Sequence, residues 1–153
     1  MAYVVTIETV PPRVLAAVRR RVHAGEVSKA FRPALDQVWA FLRSSPGLRT
    51  DGHNVFHYDH VTGDTTGFDV DFGVEITRAF EPHGQVACVT TPAGRAAVTL
   101  HRGAYSGLAA AHAALRDWFS QNGENMGAWS QEIYGDWNED ESKLETIIAY
   151  ALA

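Results

Sequence analysis

The chain has 153 residues, 46% of them hydrophobic, which is enough for one well-filled core and too few for two independent domains of ordinary size. Its 18 acidic residues outnumber its 13 basic ones, and the resulting net charge of −5 excludes a general phosphate-binding surface, which is built from clustered Lys and Arg. The single cysteine, Cys88, excludes an intrachain disulfide, and its apolar neighbours Val86, Ala87 and Val89 predict a buried, inert thiol.

The opening, Val4 to Val10, reads as extended, and so does Val14 to Val22, with Pro11 and Pro12 as punctuation between them. The spacing of Phe31, Ala34, Leu35, Val38, Trp39, Phe41 and Leu42 predicts a helix from about Ser28 to Ser44. Pro33 is expected in its first turn, where a missing N–H costs little, and Pro46-Gly47 ends it. Two strands follow, Asn54 to His60 and Phe68 to Thr77. In the second, Val70, Phe72, Val74 and Ile76 alternate with Asp69, Asp71, Gly73 and Glu75, predicting one buried and one wet face.

After Glu81-Pro82-His83-Gly84 the pattern begins again. Val86 to Thr91 and Arg95 to His101 read as strands. Ser106 is the expected cap of a helix that carries Leu108, Ala111, Leu115, Trp118 and Phe119 on one side and stops at Gly123. Gln131 to Trp137 and Leu144 to Leu152 finish as strands. Each half, about 1–80 and 81–153, thus reads strand-strand-helix-strand-strand within one domain of 1–153, and Phe56-His57-Tyr58 holds the place that Glu132-Ile133-Tyr134 holds in the second half. A duplication of this kind puts a cleft at the junction of the halves, where ligand pockets form readily.

No basic segment followed by a long apolar run opens the chain, and no stretch approaches the ~20 apolar residues that span a bilayer, so a cytoplasmic protein without a membrane partner is expected. No Gly-x-Ser-x-Gly motif and no Gly-rich phosphate loop occurs, and no cofactor is expected. His53, His57 and His60 approach metal-ligand spacing, but in a strand His57 and His60 project to opposite sides, so no metal is expected there either.

Two stretches carry a resemblance. One is His101-Arg102-Gly103-Ala104-Tyr105-Ser106-Gly107-Leu108 leading into Leu115-Arg116-Asp117-Trp118-Phe119 and Asn122-Gly123; the other is Glu132-Ile133-Tyr134 followed by Leu144-Glu145-Thr146-Ile147-Ile148. In this order and spacing they resemble the GyrI-like small-molecule-binding domain, also found as the effector-binding portion of AraC-type and MerR-type multidrug regulators. The resemblance covers nearly the whole chain. It implies an α+β fold, a curved antiparallel sheet with two helices and a central pocket, in which a glutamate on the penultimate strand recognises cationic, aromatic drugs; Glu132 matches that glutamate. No helix-turn-helix segment precedes Met1, so direct nucleic-acid binding is not expected. The family also implies stand-alone drug binders, gyrase modulators and hydrolases that open the cyclopropane ring of DNA-alkylating natural products, although nothing in the residues demands gyrase or another protein partner.

Glu132 and Tyr134 lie two apart in a strand and project to one face, and by the internal repeat Phe56 and Tyr58 are expected to supply a facing wall. Trp39 borders the stripe of its helix, Tyr105 precedes the second helix, and Trp137 opens the acidic loop to Glu141; these three complete the expected ligand-binding set. The plain alternative for Glu132 is a cross-strand pair with Arg or Lys, and for the aromatic groups it is ordinary core packing. Two functions follow. In the first, the chain captures hydrophobic, aromatic or cationic small molecules for resistance or detoxification. In the second, it is a cyclopropanoid hydrolase with Glu132 as general base, its pKa raised by burial, and Tyr134, Tyr58 or Tyr105 as donor to the carbonyl that gains charge.

Overall fold

The computed structural model of the chain describes residues 3–23, 25–49 and 51–153. Eight strands and two α-helices run in the order β1 (Thr6–Val10), β2 (Val14–Val22), α1 (Val27–Arg43), β3 (Asn54–Asp64), β4 (Gly67–Glu75), β5 (Ala87–Thr90), β6 (Gly94–Arg102), α2 (Leu108–Asn122), β7 (Met126–Tyr134) and β8 (Glu145–Leu152). The strands form one antiparallel sheet, ordered β1-β6-β8-β7-β3-β4-β2-β5. This is an α+β fold built twice from strand-strand-helix-strand-strand, and the order is symmetric about its centre: β3 and β7 lie side by side, while β1 and β5 occupy opposite edges. Each edge strand pairs with the other half, β1 with β6 and β5 with β2.

The alternation of side chains along paired strands assigns the two faces of the sheet. One row of cross-strand neighbours runs Val18, Phe72, Phe56, Glu132, Ile148, Thr99. Both helices cover this face. From α1, Ala34, Leu35, Val38 and Leu42 bury their stripe against Ala16, Val18, Val70, Phe72 and Val74. From α2, Ala111, Leu115 and Phe119 pack on Ala97 and Ile148. Stripes at three- and four-residue spacing suffice to form both helices once they can be buried in this way. Each helix covers its own half of the sheet, leaving the central strands β3 and β7 uncovered between them. Gly123 stops α2 in the left-handed conformation, at a φ of 64°, with its N–H turned back to the carbonyls of Phe119 and Ser120.

The expected strands and helices are all present, with several differences of detail. Because α1 begins at Val27, Pro33 falls in its second turn rather than its first. Ser106 does not cap α2; it sits inside a 3₁₀ turn, Tyr105–Gly107, and Gly107 occupies the cap position without a side-chain hydrogen bond. The seventh strand starts five residues earlier than its apolar pattern suggests and ends at Tyr134, so Trp137 lies in the loop beyond it. Cys88 is half-buried rather than enclosed, because β5 is an edge strand.

The other face of the sheet was expected to be wet along β4, and it is not. Its central row runs Arg19, Asp71, His57, Gln131, Ala149, Val98. Asp71 is only 2% exposed and accepts two hydrogen bonds from Arg19, at 2.9 Å each. Gln131 Nε2 lies 3.1 Å from His57 Nδ1. Apolar Leu15, Ala17, Val55 and Ile133 form a cluster on the same side. A carboxylate in such surroundings persists because a bidentate guanidinium meets both its oxygens.

Candidate functional site

The gap between α1 and α2 is a cleft of about 1310 Å³, larger than most small-molecule sites. Its floor is β3 and β7. One wall carries Phe31, Leu35 and Trp39 from α1, the other Leu108, Ala109 and His112 from α2, and the loop after β7 brings Asp136 and Trp137 to the mouth. All seven residues singled out from the sequence line it: Trp39, Phe56, Tyr58, Tyr105, Glu132, Tyr134 and Trp137.

Their arrangement differs from expectation in one respect. Phe56 and Tyr58 do not face Glu132 across the cleft. Antiparallel pairing sets Phe56 directly beside Glu132 and Tyr58 beside Ser130, so all belong to one floor. The halves meet at the Phe56–Glu132 pair, with Tyr58 and Tyr134 on either side of it in equivalent places. The rings of Phe56 and Tyr134 approach to 4.9 Å, Phe31 lies 5.8 Å from Phe56, and Tyr105 meets Tyr134 edge-on at 5.4 Å. Trp39 donates its indole N–H to Asn54 Oδ1 at 3.2 Å. Trp137 is 75% exposed, a ring at the rim rather than part of the packed wall.

Glu132 is 6% exposed and does not pair with an arginine or lysine. Its Oε1 accepts hydrogen bonds from the phenols of Tyr58, at 2.5 Å, and Tyr134, at 2.9 Å. Its Oε2 lies 2.6 Å from His112 Nε2, and His112 Nδ1 lies 2.7 Å from the Tyr150 hydroxyl. A carboxylate only accepts, so His112 carries its proton on Nε2 and, when neutral, takes the Tyr150 O–H at Nδ1. The result is a continuous chain, Tyr150 to His112 to Glu132, closed by two phenols.

Burial pushes the Glu132 carboxyl up. The hydrogen bonds from His112, Tyr58 and Tyr134, with the attraction of His112, outweigh it and hold the group below the usual glutamate range. This reverses the expectation of a raised pKa. Burial, reinforced by the Glu132 charge, pushes Tyr58 and Tyr134 well above the ordinary phenol range, so both remain donors. At neutral pH the floor of the cleft therefore carries a fixed negative charge that its own neighbours already solvate.

His112 and Tyr150 were missed in the sequence. His112 lies one helical turn beyond Leu108 and one before Leu115, on the flank of the buried stripe, a position that points it at the sheet. Tyr150 shares the alternation of Ile148 on β8, and so the helix-covered face. Of the three histidines considered as metal ligands, His53 and His60 line the cleft and His57 lies on the opposite face. His53 Nε2 meets Asp136 Oδ1 at 2.8 Å at the rim, and His60 Nε2 meets Ser130 Oγ at 2.8 Å.

A family model for the GyrI-like small molecule binding domain matches residues 3–151. The fold is similar to the C-terminal domain of EcmrR, at 22% identity and a TM-score of 0.79 over 100% of this chain and 99% of that one. It is also similar to SAV2435 bound to tetraphenylphosphonium, at 13% identity and a TM-score of 0.74, covering 100% of this chain and 94% of that one. A third similar structure is a hydrolase encoded by lin2189 from Listeria innocua, at 13% identity and a TM-score of 0.61, covering 97% and 91%. At these identities the structural likeness shows the fold alone. No curated protein matches in sequence.

Proposed function

The chain belongs to the GyrI-like small-molecule-binding domain family, and from that premise and the cleft's geometry we propose that it captures hydrophobic, aromatic compounds for resistance or detoxification. One observation carries this reading: a buried carboxylate lies on the floor of a large cleft whose floor and first wall carry aromatic rings. Phe31, Phe56, Tyr105 and Tyr134 offer ring faces and edges to a planar ligand. Contacts of a cationic ligand group with such rings contribute roughly 0.5–2 kcal/mol each. Glu132 uses one oxygen for two phenols and the other for His112, so Oε2 retains a lone pair for a cationic or hydrogen-bond-donating group of the ligand.

The test is thermal unfolding in the presence of neutral and cationic aromatic compounds, tetraphenylphosphonium included, followed by mass spectrometry of the recovered ligand. Binding to the native state alone raises the melting temperature by mass action, and the ligand returns unchanged. A melting temperature indifferent to every compound in the panel overturns the reading.

The hydrolytic alternative draws support from the His112–Glu132 pair, which has the form of a base oriented by a partner. With its carboxyl held below the usual range, Glu132 is a poor proton acceptor at neutral pH, so the pair rather than the carboxylate alone would align water against a strained ring. Cyclopropane-bearing alkylators recovered with one water added, by the parent and not by His112→Gln, favour this reading; intact compounds remove it.

A further inference from the structure

The chain as a whole is acidic, with 18 carboxylates against 13 basic side chains, yet the cleft inverts that ratio. Its charged lining residues are Arg32, Arg49 and Arg116 against Glu132 and Asp136. Both carboxylates have partners, Glu132 among its three donors and Asp136 with His53. The arginines meet neutral groups only: Arg49 Nε donates to the Gly52 carbonyl at 2.8 Å, and Arg116 meets Tyr150. Outside the cleft, Arg13 pairs with Glu75, Arg19 with Asp71, Arg21 with Asp64 and Arg102 with Glu145, while Arg20, Arg43, Arg78 and Arg95 form no ion pair among the described residues. Among the described residues, none of the three cleft arginines makes an ion pair. Two stand over rings: Arg49 Cζ lies 4.7 Å from the centre of Trp39, and Arg32 Cζ lies 5.5 Å from that of Phe31. Arg116 lies one helical turn beyond His112 on the opposite wall.

A guanidinium has five donors in a planar fork that matches a carboxylate, sulfonate or phosphate, and beside an aromatic ring it stays partly desolvated and oriented. At the mouth three guanidiniums stand against one carboxylate, Asp136, which His53 already meets, so the rim favours negative charge while Glu132 keeps its own charge at the floor. We propose that the ligand of this cleft is an aromatic compound bearing an acidic group, its ring system over Phe56 and Tyr134 and its acid met at the rim by a guanidinium of the set Arg32, Arg49 and Arg116. This rests on the reading of the cleft as an aromatic-binding site and adds the charge class of what binds there.

The experiment compares three compounds of one shape, 1-naphthoate, 1-naphthamide and 1-naphthylmethylammonium, by calorimetry and by quenching of tryptophan fluorescence, at low and high salt. Naphthoate is expected to bind about tenfold or more tightly than naphthamide, the scale of one hydrogen bond to a charged group. That advantage shrinks in high salt, since the arginines are exposed, and disappears in a variant carrying Arg32→Gln, Arg49→Gln and Arg116→Gln. Equal binding of acid and amide, a preference for the ammonium compound, or an acid preference that survives the triple substitution overturns this proposal and leaves aromatic binding standing. Failure of all three compounds to bind overturns both.

Discussion

The two halves of the molecule share one topology and meet at one pair of residues, but they bring different chemistry to it. At the junction the first half supplies Phe56 and the second supplies Glu132, while Tyr58 and Tyr134 are retained on both sides. The first helix lends the cleft Phe31, Leu35 and Trp39; the second lends Leu108, His112 and Arg116. Duplication of the unit accounts for the cavity, and divergence of a few positions accounts for its polarity. The retained tyrosines show how the two are linked: each half contributes one phenol to the single carboxylate, so the charge belongs to one copy and its solvation to both.

Restoring the symmetry should be most costly. Phe56→Glu would place a second carboxylate directly beside Glu132 on a buried floor, and a loss of about 3–5 kcal/mol is expected, the scale of an uncompensated buried charge. Urea unfolding measures it. Removing the charged member instead, with Glu132→Ala, leaves two phenols and an imidazole without their acceptor. A smaller loss of about 2–3 kcal/mol is expected, and Glu132→Gln should recover part of it.

Acid offers a milder probe of the same asymmetry. The folded-state pKa of Glu132 is lowered from 4.5, so the stability it contributes is fully present above that value and is lost as pH falls through the folded pKa. Burial likewise lowers His57 from 6.5. Because the unfolded chain protonates that histidine first, its contribution begins to fall away below about pH 6.5. Both groups therefore act in one direction, and melting temperatures should decline in two stages on acidification. Because burial lowers His60 in the same direction, His57→Gln together with His60→Gln should flatten the upper stage and Glu132→Gln the lower.

The finest comparison is between the two phenols. Tyr58→Phe and Tyr134→Phe each remove one hydrogen bond to a charged acceptor, about 1.5 kcal/mol apiece. The shorter bond, from the more deeply buried Tyr58, predicts the larger loss. A double-mutant cycle should show coupling between the two substitutions, because both phenols meet one oxygen. Trp137→Ala, at the open rim, should change stability by no more than about 0.5 kcal/mol.

How legible this was in the sequence depends on the distance over which the signal acts. The repeated unit was visible because strand and helix periods are local, and the stripe of Ala34, Leu35, Val38 and Leu42 marks its buried face without help from tertiary structure. The seventh strand was cut short because Gly127 and Ala128 carry little strand preference, although a Cβ at Gly127 would lie 2.7 Å from the Leu152 carbonyl, which explains the glycine. The polar positions of β4 suggested a wet face because nothing local announces that Arg19 reaches Asp71 across the strands. Glu132 was found by its place in the motif, whereas His112 required knowing that α2 leans on β8 and the floor of the cleft. A lone histidine on the flank of an apolar stripe is a signal only after the sheet order is fixed.

The crossing of the two edge strands has a mechanical consequence. Since β1 adds to the second half and β5 to the first, neither half closes its own sheet, and the arrangement is that of two people each holding the other's coat. Separating the halves would strip the outer edges of β2 and β6 as well as the facing edges of β3 and β7, breaking three hydrogen-bonding ladders. The cleft lies on the seam that this exchange clamps. A ligand seated there is gripped by walls tied together at both far edges, so the unit that binds and the unit that unfolds should be the same one.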